Sequence, residues 1–278
     1  MGSLSDYAEL EVLDHVLKTG IYTAATTLYV GLSTVTIDDA TTGGDVTEPS
    51  EMGYARVECN TWDAAGTESR ATENTGVITF AEASGDWGTI TDFFVADHLT
   101  TGNIIAYGTF SAGKAVGTGD NPSIAAGGID ISVNTGGMAT HLAGSILDHV
   151  FKTAVYTAAT TLYVGLSTGT IADATTGGAA GEPAAGAYAR VECNTWDVAA
   201  AGASENTAAI TFAQATASWG TITDFFIADH LTTGNLLFYT VADASKAVGT
   251  NDTIQIDSSE MNILPCIPPI TPMDNSSS

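Results

Sequence analysis

Residues Tyr22 to Thr34 read YTAATTLYVGLST, and Tyr156 to Thr168 read the same thirteen residues. A stretch this long does not recur by chance, so the chain is a duplication and one copy must explain the fold. Working outward, Tyr54 to Asp63 (YARVECNTWD) returns at Tyr188 to Asp197. Trp87 to Asn103 returns at Trp219 to Asn235 with one change, Val95 to Ile227. The offset is 134 early (22 to 156) and 132 later (87 to 219), which puts a short deletion in the Ala/Gly-rich stretch between. Asn134-Thr-Gly-Gly137 is a turn-rich junction. We expect one domain over residues 1–135, a second over 136–264, and a Pro/Ser-rich extended tail over 265–278.

Within the repeated stretch, Leu28, Val30 and Leu32 alternate with other residues, the period of a strand with one buried face. Tyr54 to Trp62 is rich in strand formers, and Val77 to Phe80, Ile90 to Ala96 and Ile104 to Phe110 follow between Gly, Asn, Asp and Thr. A last strand holds Ile124, Ile129 and Ile131, matched by Ile256, Met261 and Ile263. Before all of these, Val12, Leu13, Val16 and Leu17 fall at helical spacing, with Ser5 placed to cap. Ile146, Leu147, Val150 and Phe151 repeat that helix. The reading is all-β: two tandem β-sandwich, jelly-roll-like domains, each preceded by a short helix.

Composition narrows the function. Of 278 residues 44% are hydrophobic, enough for packed cores. Asp and Glu number 32 against 7 Lys and Arg, a formal net charge of -25. Such a surface repels phosphate backbones and anionic lipid headgroups, which argues against nucleic-acid or membrane partners. A high-salt habitat would select the same balance. The first residues lack the basic start and apolar run of a signal peptide. Cys59 and Cys193 hold equivalent positions and read as free, partly buried thiols.

No motif supports catalysis. Gly165-Leu-Ser-Thr-Gly169 spells a nucleophile elbow, but a polar Gly-rich stretch follows where the elbow needs a helix, and the first copy ends in Val35. The pairs Asp14-His15, Asp97-His98, Asp148-His149 and Asp229-His230 read as solvated or capping groups. Asp38, Asp39, Asp45 and Glu48 crowd one loop without calcium-loop order, so no metal and no cofactor are assigned.

Two sets remain. Lys18, Arg56 and Lys114 return as Lys152, Arg190 and Lys246; in so acidic a chain, recurrent cations imply fixed partners. Arg56 with Glu58, and Arg190 with Glu192, lie two apart on a strand and are the ion-pair candidates. Trp62, Trp87, Trp196 and Trp219 recur as core residues or, in the alternative, as an interaction surface for host glycans.

The order LYVGLST, Glu-Pro, GYARV or AYARV, Trp, NTxxITF, WGTITxFxxxD and TTGN resembles a family of tailed-bacteriophage virion proteins labelled head decoration, minor structural or tail-fibre protein. The resemblance covers residues 12 to 131 and 146 to 264. It implies a β-sandwich that is made in the host cytoplasm and assembles on the virion. The leading reading is a capsid decoration protein that binds the major capsid protein and copies of itself, and open sandwich edges point to a homotrimer as the isolated unit. A tail or fibre component is the first alternative and a glycan-binding module the second.

Overall fold

The structure is a computed structural model, described here for residues 2–50 and 52–264. The expected tail over 265–278 lies outside the described residues. The chain is all-β with two domains. In chain order the elements are β1 (Gly2–Leu4), α1 (Asp6–Leu17), β2 (Tyr29–Ser33), β3 (Val57–Glu58), β4 (Ala71–Glu73), β5 (Ile78–Thr79), β6 (Gly88–Ala96), β7 (Ile104–Val116), β8 (Ser123–Ile124) and β9 (Asp130–Ser132). The second repeat follows with α2 (Thr140–Val150), β10 (Tyr163–Ser167), β11 (Val191–Glu192), β12 (Ser204–Glu205), β13 (Ile210–Thr211), β14 (Gly220–Ala228), β15 (Leu236–Val248), β16 (Gln255–Ile256) and β17 (Asn262–Ile263). No helix among the described residues is long and apolar enough to cross a membrane.

The first unit comprises the described parts of Met1–Glu9, Thr23–Val133 and Gly144–Tyr156. Its main sheet runs β3-β2-β6-β7-β1-β9-β4. The repeated YVGLS text is β2, antiparallel to β6 through Val30 against Val95; Val30 and Leu32 are buried, but so are Gly31 and Ser33, so both faces are covered where the alternation predicts one. β6 and β7 form the long hairpin, with a register shift between Ile90 and Asp92. Gly31 is dictated by packing: a Cβ there would lie 2.2 Å from the ring tip of Phe94. The sequence pattern assigns no element ahead of the first helix, yet Gly2–Leu4 is a strand, antiparallel to β7 and parallel to β9, with Leu4 in the core.

The second unit comprises the described parts of Leu10–Tyr22, Asn134–Ala143 and Thr157–Ser278. Its main sheet has four strands, β11-β10-β14-β15, and β12 pairs β17 separately. Gly165 lies under Phe226 as Gly31 does under Phe94, its Cβ position 2.2 Å from the ring tip.

Helical residues therefore cross the repeat boundary. The part of α2 from Gly144 onward belongs to the first unit, and the part of α1 from Leu10 onward to the second. In the first unit Phe151 packs on Trp62 at 4.5 Å between ring centroids. The Asp148 carboxylate accepts from the Ala65 and Gly66 amides at 2.7 and 3.0 Å. Lys152 donates to the Thr26 carbonyl and to Asn60 Oδ1. The second unit mirrors this: Asp14 accepts from the Ala199 amide at 2.6 Å, and Lys18 donates to the Thr160 carbonyl and to Asn194. Lys18 and Lys152 end their helices at φ +68° and +66°, where glycine is the usual choice. A lysine is used because its ammonium reaches a carbonyl and an amide across the unit. Among the described residues these two recurrent cations thus bond carbonyl and amide oxygens in place of the carboxylates that recurrence suggested.

Candidate functional site

The residues repeated in both copies converge on one construction, a buried arginine under two loops. Arg56 is 4% exposed, so each of its five N–H donors must be satisfied inside the protein. Nε and Nη2 form a two-pronged pair with Glu48, Nη2 to Oε2 at 2.8 Å. Nη1 donates to the His98 and Thr101 carbonyls at 2.8 and 2.9 Å, and Nη2 also to the Gly43 carbonyl. The guanidinium carbon stands 4.8 Å above the Phe94 ring. One side chain thus ties the 43–48 loop and the 97–103 hairpin to the sheet.

The same construction recurs around Arg190, also 4% exposed. It pairs with Glu182 at 2.8 Å, donates to the His230, Thr233 and Gly177 carbonyls, and stands 5.0 Å over Phe226. Glu58 and Glu192, the partners suggested by strand spacing, instead accept from Asn60 and Asn194 Nδ2 at 2.6 Å. Spacing of two predicts a shared face only in a straight strand, and β3 and β11 are paired for two residues each. The signal that identifies Glu48 is its recurrence as Glu-Pro at 48–49 and 182–183.

The acid of each clamp has a second donor. Tyr54 donates to Glu48 at 2.6 Å while its oxygen accepts from the Leu32 amide at 2.8 Å. Burial first, and then the Glu48 charge, pushes the Tyr54 phenol far above its ordinary value. Tyr188 does the same with Glu182 and Leu166, and is raised by burial and by its bond to Glu182. Both phenols stay protonated and act as fixed donors.

The four tryptophans are 3–6% exposed, Trp62 and Trp219 marking the two ends of that range, so they build cores and no sugar shelf. Trp87 meets the Tyr54 ring edge-on at 5.2 Å and donates to the Met52 carbonyl; Trp219 meets Tyr188 at 5.4 Å and donates to the Gly186 carbonyl. The indoles of Trp62 and Trp196 donate to the Cys59 and Cys193 carbonyls. Burial raises both thiols above the ordinary cysteine value.

The catalytic-looking motifs have other uses. Ser167 is fully buried and donates to the Gly169 carbonyl at 2.7 Å. His98 and His230 accept hairpin amides at Nδ1, while Asp97 and Asp229 bind Asn103 and Asn235. Asp148 and His149 are buried, not solvated. The crowded loop carboxylates disperse: Asp38 binds Thr41, Asp45 binds Thr42, and Glu48 binds Arg56. Asp39 alone meets other acids, Asp6 and Glu9, with ligand atoms within 4.8 Å of one another. The second repeat has Thr140 and Ala143 in place of those two acids. Two buried acids, Asp92 and Asp224, escaped the sequence reading. They brace the Ile37 and Ile171 amides from inside the sheet.

A family model described as Podophage GP4 fiber I protein gp80 matches the chain twice, over residues 3–132 and 137–263. None of the curated proteins matches it.

Proposed function

We propose that this chain, which belongs to the Podophage GP4 fiber I protein gp80 family, is a non-enzymatic fibre component of a phage virion that acts through its surface. The double family match carries this reading, because it covers nearly all of both repeats with a virion structural family. The site chemistry supports it. The recurrent Arg, Glu and Tyr are spent on fastening loops, and the serine and histidines of the enzyme-like motifs are bound internally. Two clamped loop pairs give a stiff, acidic surface suited to assembly.

One observation favours capsid decoration as the second reading. The longer described helix has 12 residues, too short for a coiled-coil shaft, and a fibre needs length. The homotrimer belongs to both readings: against a net charge of -25 its contacts must be local and largely apolar, with the charge kept outward. Immunogold labelling of intact particles tests the choice. We expect gold at the tail. Gold spread over the capsid faces replaces the fibre reading by decoration, and particles free of label overturn both. Light scattering on the purified chain tests the trimer.

A further inference from the structure

In the first unit β1 fills the space between β7 and β9. The residues that should do this in the second unit are Gly136–Met138. Gly136 and Gly137 have φ of +92° and +80°, because the chain turns there out of the first repeat. What survives is a single bridge, Met138 to Phe238, and a bond from the Tyr239 amide to the Gly137 carbonyl. Among the described residues β15 is left as an edge of its sheet, and β17 pairs with β12 alone. A cleft of about 410 Å³ lies between them, lined by Thr240–Asp243 on one side and Asn262–Leu264 on the other. Val241, which stands where the first repeat has Thr109, is 64% exposed there.

The open strip continues along β15, because a second groove shares Thr240–Asp243 and Met261–Asn262 with the first. In the first unit Phe110 covers Phe93 at 5.3 Å between centroids, and the groove there is about 290 Å³. The second repeat has Ala242 at that place, Phe225 is left half-buried, and the groove grows to about 440 Å³. Two carboxylates are added along it: Asp243 and Glu260 stand where the first repeat has Ser111 and Gly128, beside Lys246, which both repeats keep as Lys114 and Lys246.

We infer that this seam is a docking site for an extended, basic segment of another protein, which adds a strand beside β15 with its cations on Asp243 and Glu260. The first unit shows that a short extended segment fits such a gap. The added acids select its charge. They also select against this chain as occupant: a second copy carries the same net charge of -25, and Pro265–Ser278 contains Asp274 and no Lys or Arg. The inference rests on the virion reading only for where the partner resides. Binding in solution and incorporation into particles fail separately.

The test uses the full chain and two short blocked peptides, one alternating Lys and Val, the other Glu and Val, with amide hydrogen exchange as the map. The Lys peptide should bind about tenfold more tightly, as two exposed charge contacts allow, and should protect Thr240–Asp243 and Asn262–Leu264. Exposed Asp243→Lys with Glu260→Lys leaves the core untouched and should reverse the preference. Ala242→Phe should weaken both peptides by filling the groove. Equal affinity for the two peptides, protection in the first repeat, or an unchanged preference in the charge-reversed variant overturns the inference. Protection that grows with protein concentration alone assigns the seam to a second copy, and deprotection on truncation after Leu264 assigns it to the tail. Either result also overturns it.

Discussion

In the first unit one sheet runs unbroken from β3 to β4 because Gly2–Leu4 is extended and lies between β7 and β9. In the second unit the equivalent residues emerge from a covalent junction, bend through two positive-φ glycines, and leave the sheet open. Duplication kept most of the side chains but not this strand, which is extended at Gly2–Leu4 and bent at Gly136–Met138. The loops after the Trp62 and Trp196 strands differ for a related reason. The first repeat's loop is two residues longer and presses the Gly66 and Ser69 carbonyls against α2, where only Gly144 fits. The second, shorter loop leaves space for Leu10 at the matching helix position.

Where the repeats agree, perturbations should have equal and large effects. Arg56→Ala leaves three carbonyls without their donor and Arg190→Ala four, each carboxylate keeping only its tyrosine, and Glu48→Ala or Glu182→Ala strands a guanidinium with a 1% exposed side chain. Losing one partner of such a pair costs about 3–5 kcal/mol. Urea unfolding should give that loss for all four variants, with the two repeats matched. A clear inequality between Arg56→Ala and Arg190→Ala would show that the clamps are alike in geometry only.

The exchange of helical segments makes a sharper claim. Phe151→Ala removes a ring packed on Trp62 and should cost about 3–5 kcal/mol, typical of a buried aromatic truncated to alanine. The substitution lies in the second repeat, yet hydrogen exchange should accelerate around Val57–Glu73 in the first. If Val191–Glu205 loosens instead, the segments do not cross the boundary. Gly144→Ala follows with a smaller effect. Its Cβ would stand 1.7 Å from the Gly66 carbonyl oxygen, so backbone must move, at a cost of about 1–3 kcal/mol for such overpacking. Leu10→Ala in the second unit relieves nothing, and should only lose the packing of a half-buried leucine.

The sequence carries the all-β class because alternation such as Leu28, Val30, Leu32 has a direct physical meaning, and the helix because Val12, Leu13, Val16 and Leu17 share a face. It carries the importance of Arg56 and Arg190 because a cation kept twice in an acidic chain must be held. It does not carry the partner. Glu48 lies eight residues away across a loop, and local spacing favoured Glu58. Nor could any pattern foresee that α2 would serve the first unit: amphipathic periodicity says that a face is buried, never against what. The clamp's carbonyl acceptors are backbone atoms and leave no trace in side-chain text.

The smallest effect concerns the acids that only the first repeat brings together. Burial, and then the nearby Asp6 carboxylate, holds the Asp39 carboxyl above its ordinary 3.8. The folded chain then binds that proton more tightly than the unfolded chain does. This contribution to stability is therefore fully present below pH 3.8 and is lost as the pH rises through the raised folded value. Asp6→Asn removes the neighbouring charge but leaves the burial. The Asp39 titration, followed by carboxyl carbon chemical shift, should move down without reaching 3.8, and the loss of stability with rising pH should shrink. Thr140→Asp places the same acid beside Asp173 in the second repeat, where the Tyr239 hydroxyl and the Gly136 amide already hold the carboxylate. The two like charges brought together there should lower the urea midpoint at neutral pH. An Asp39 midpoint unmoved by Asp6→Asn would mean that burial alone sets it, and this contrast between the repeats would then be one of sequence without electrostatic consequence.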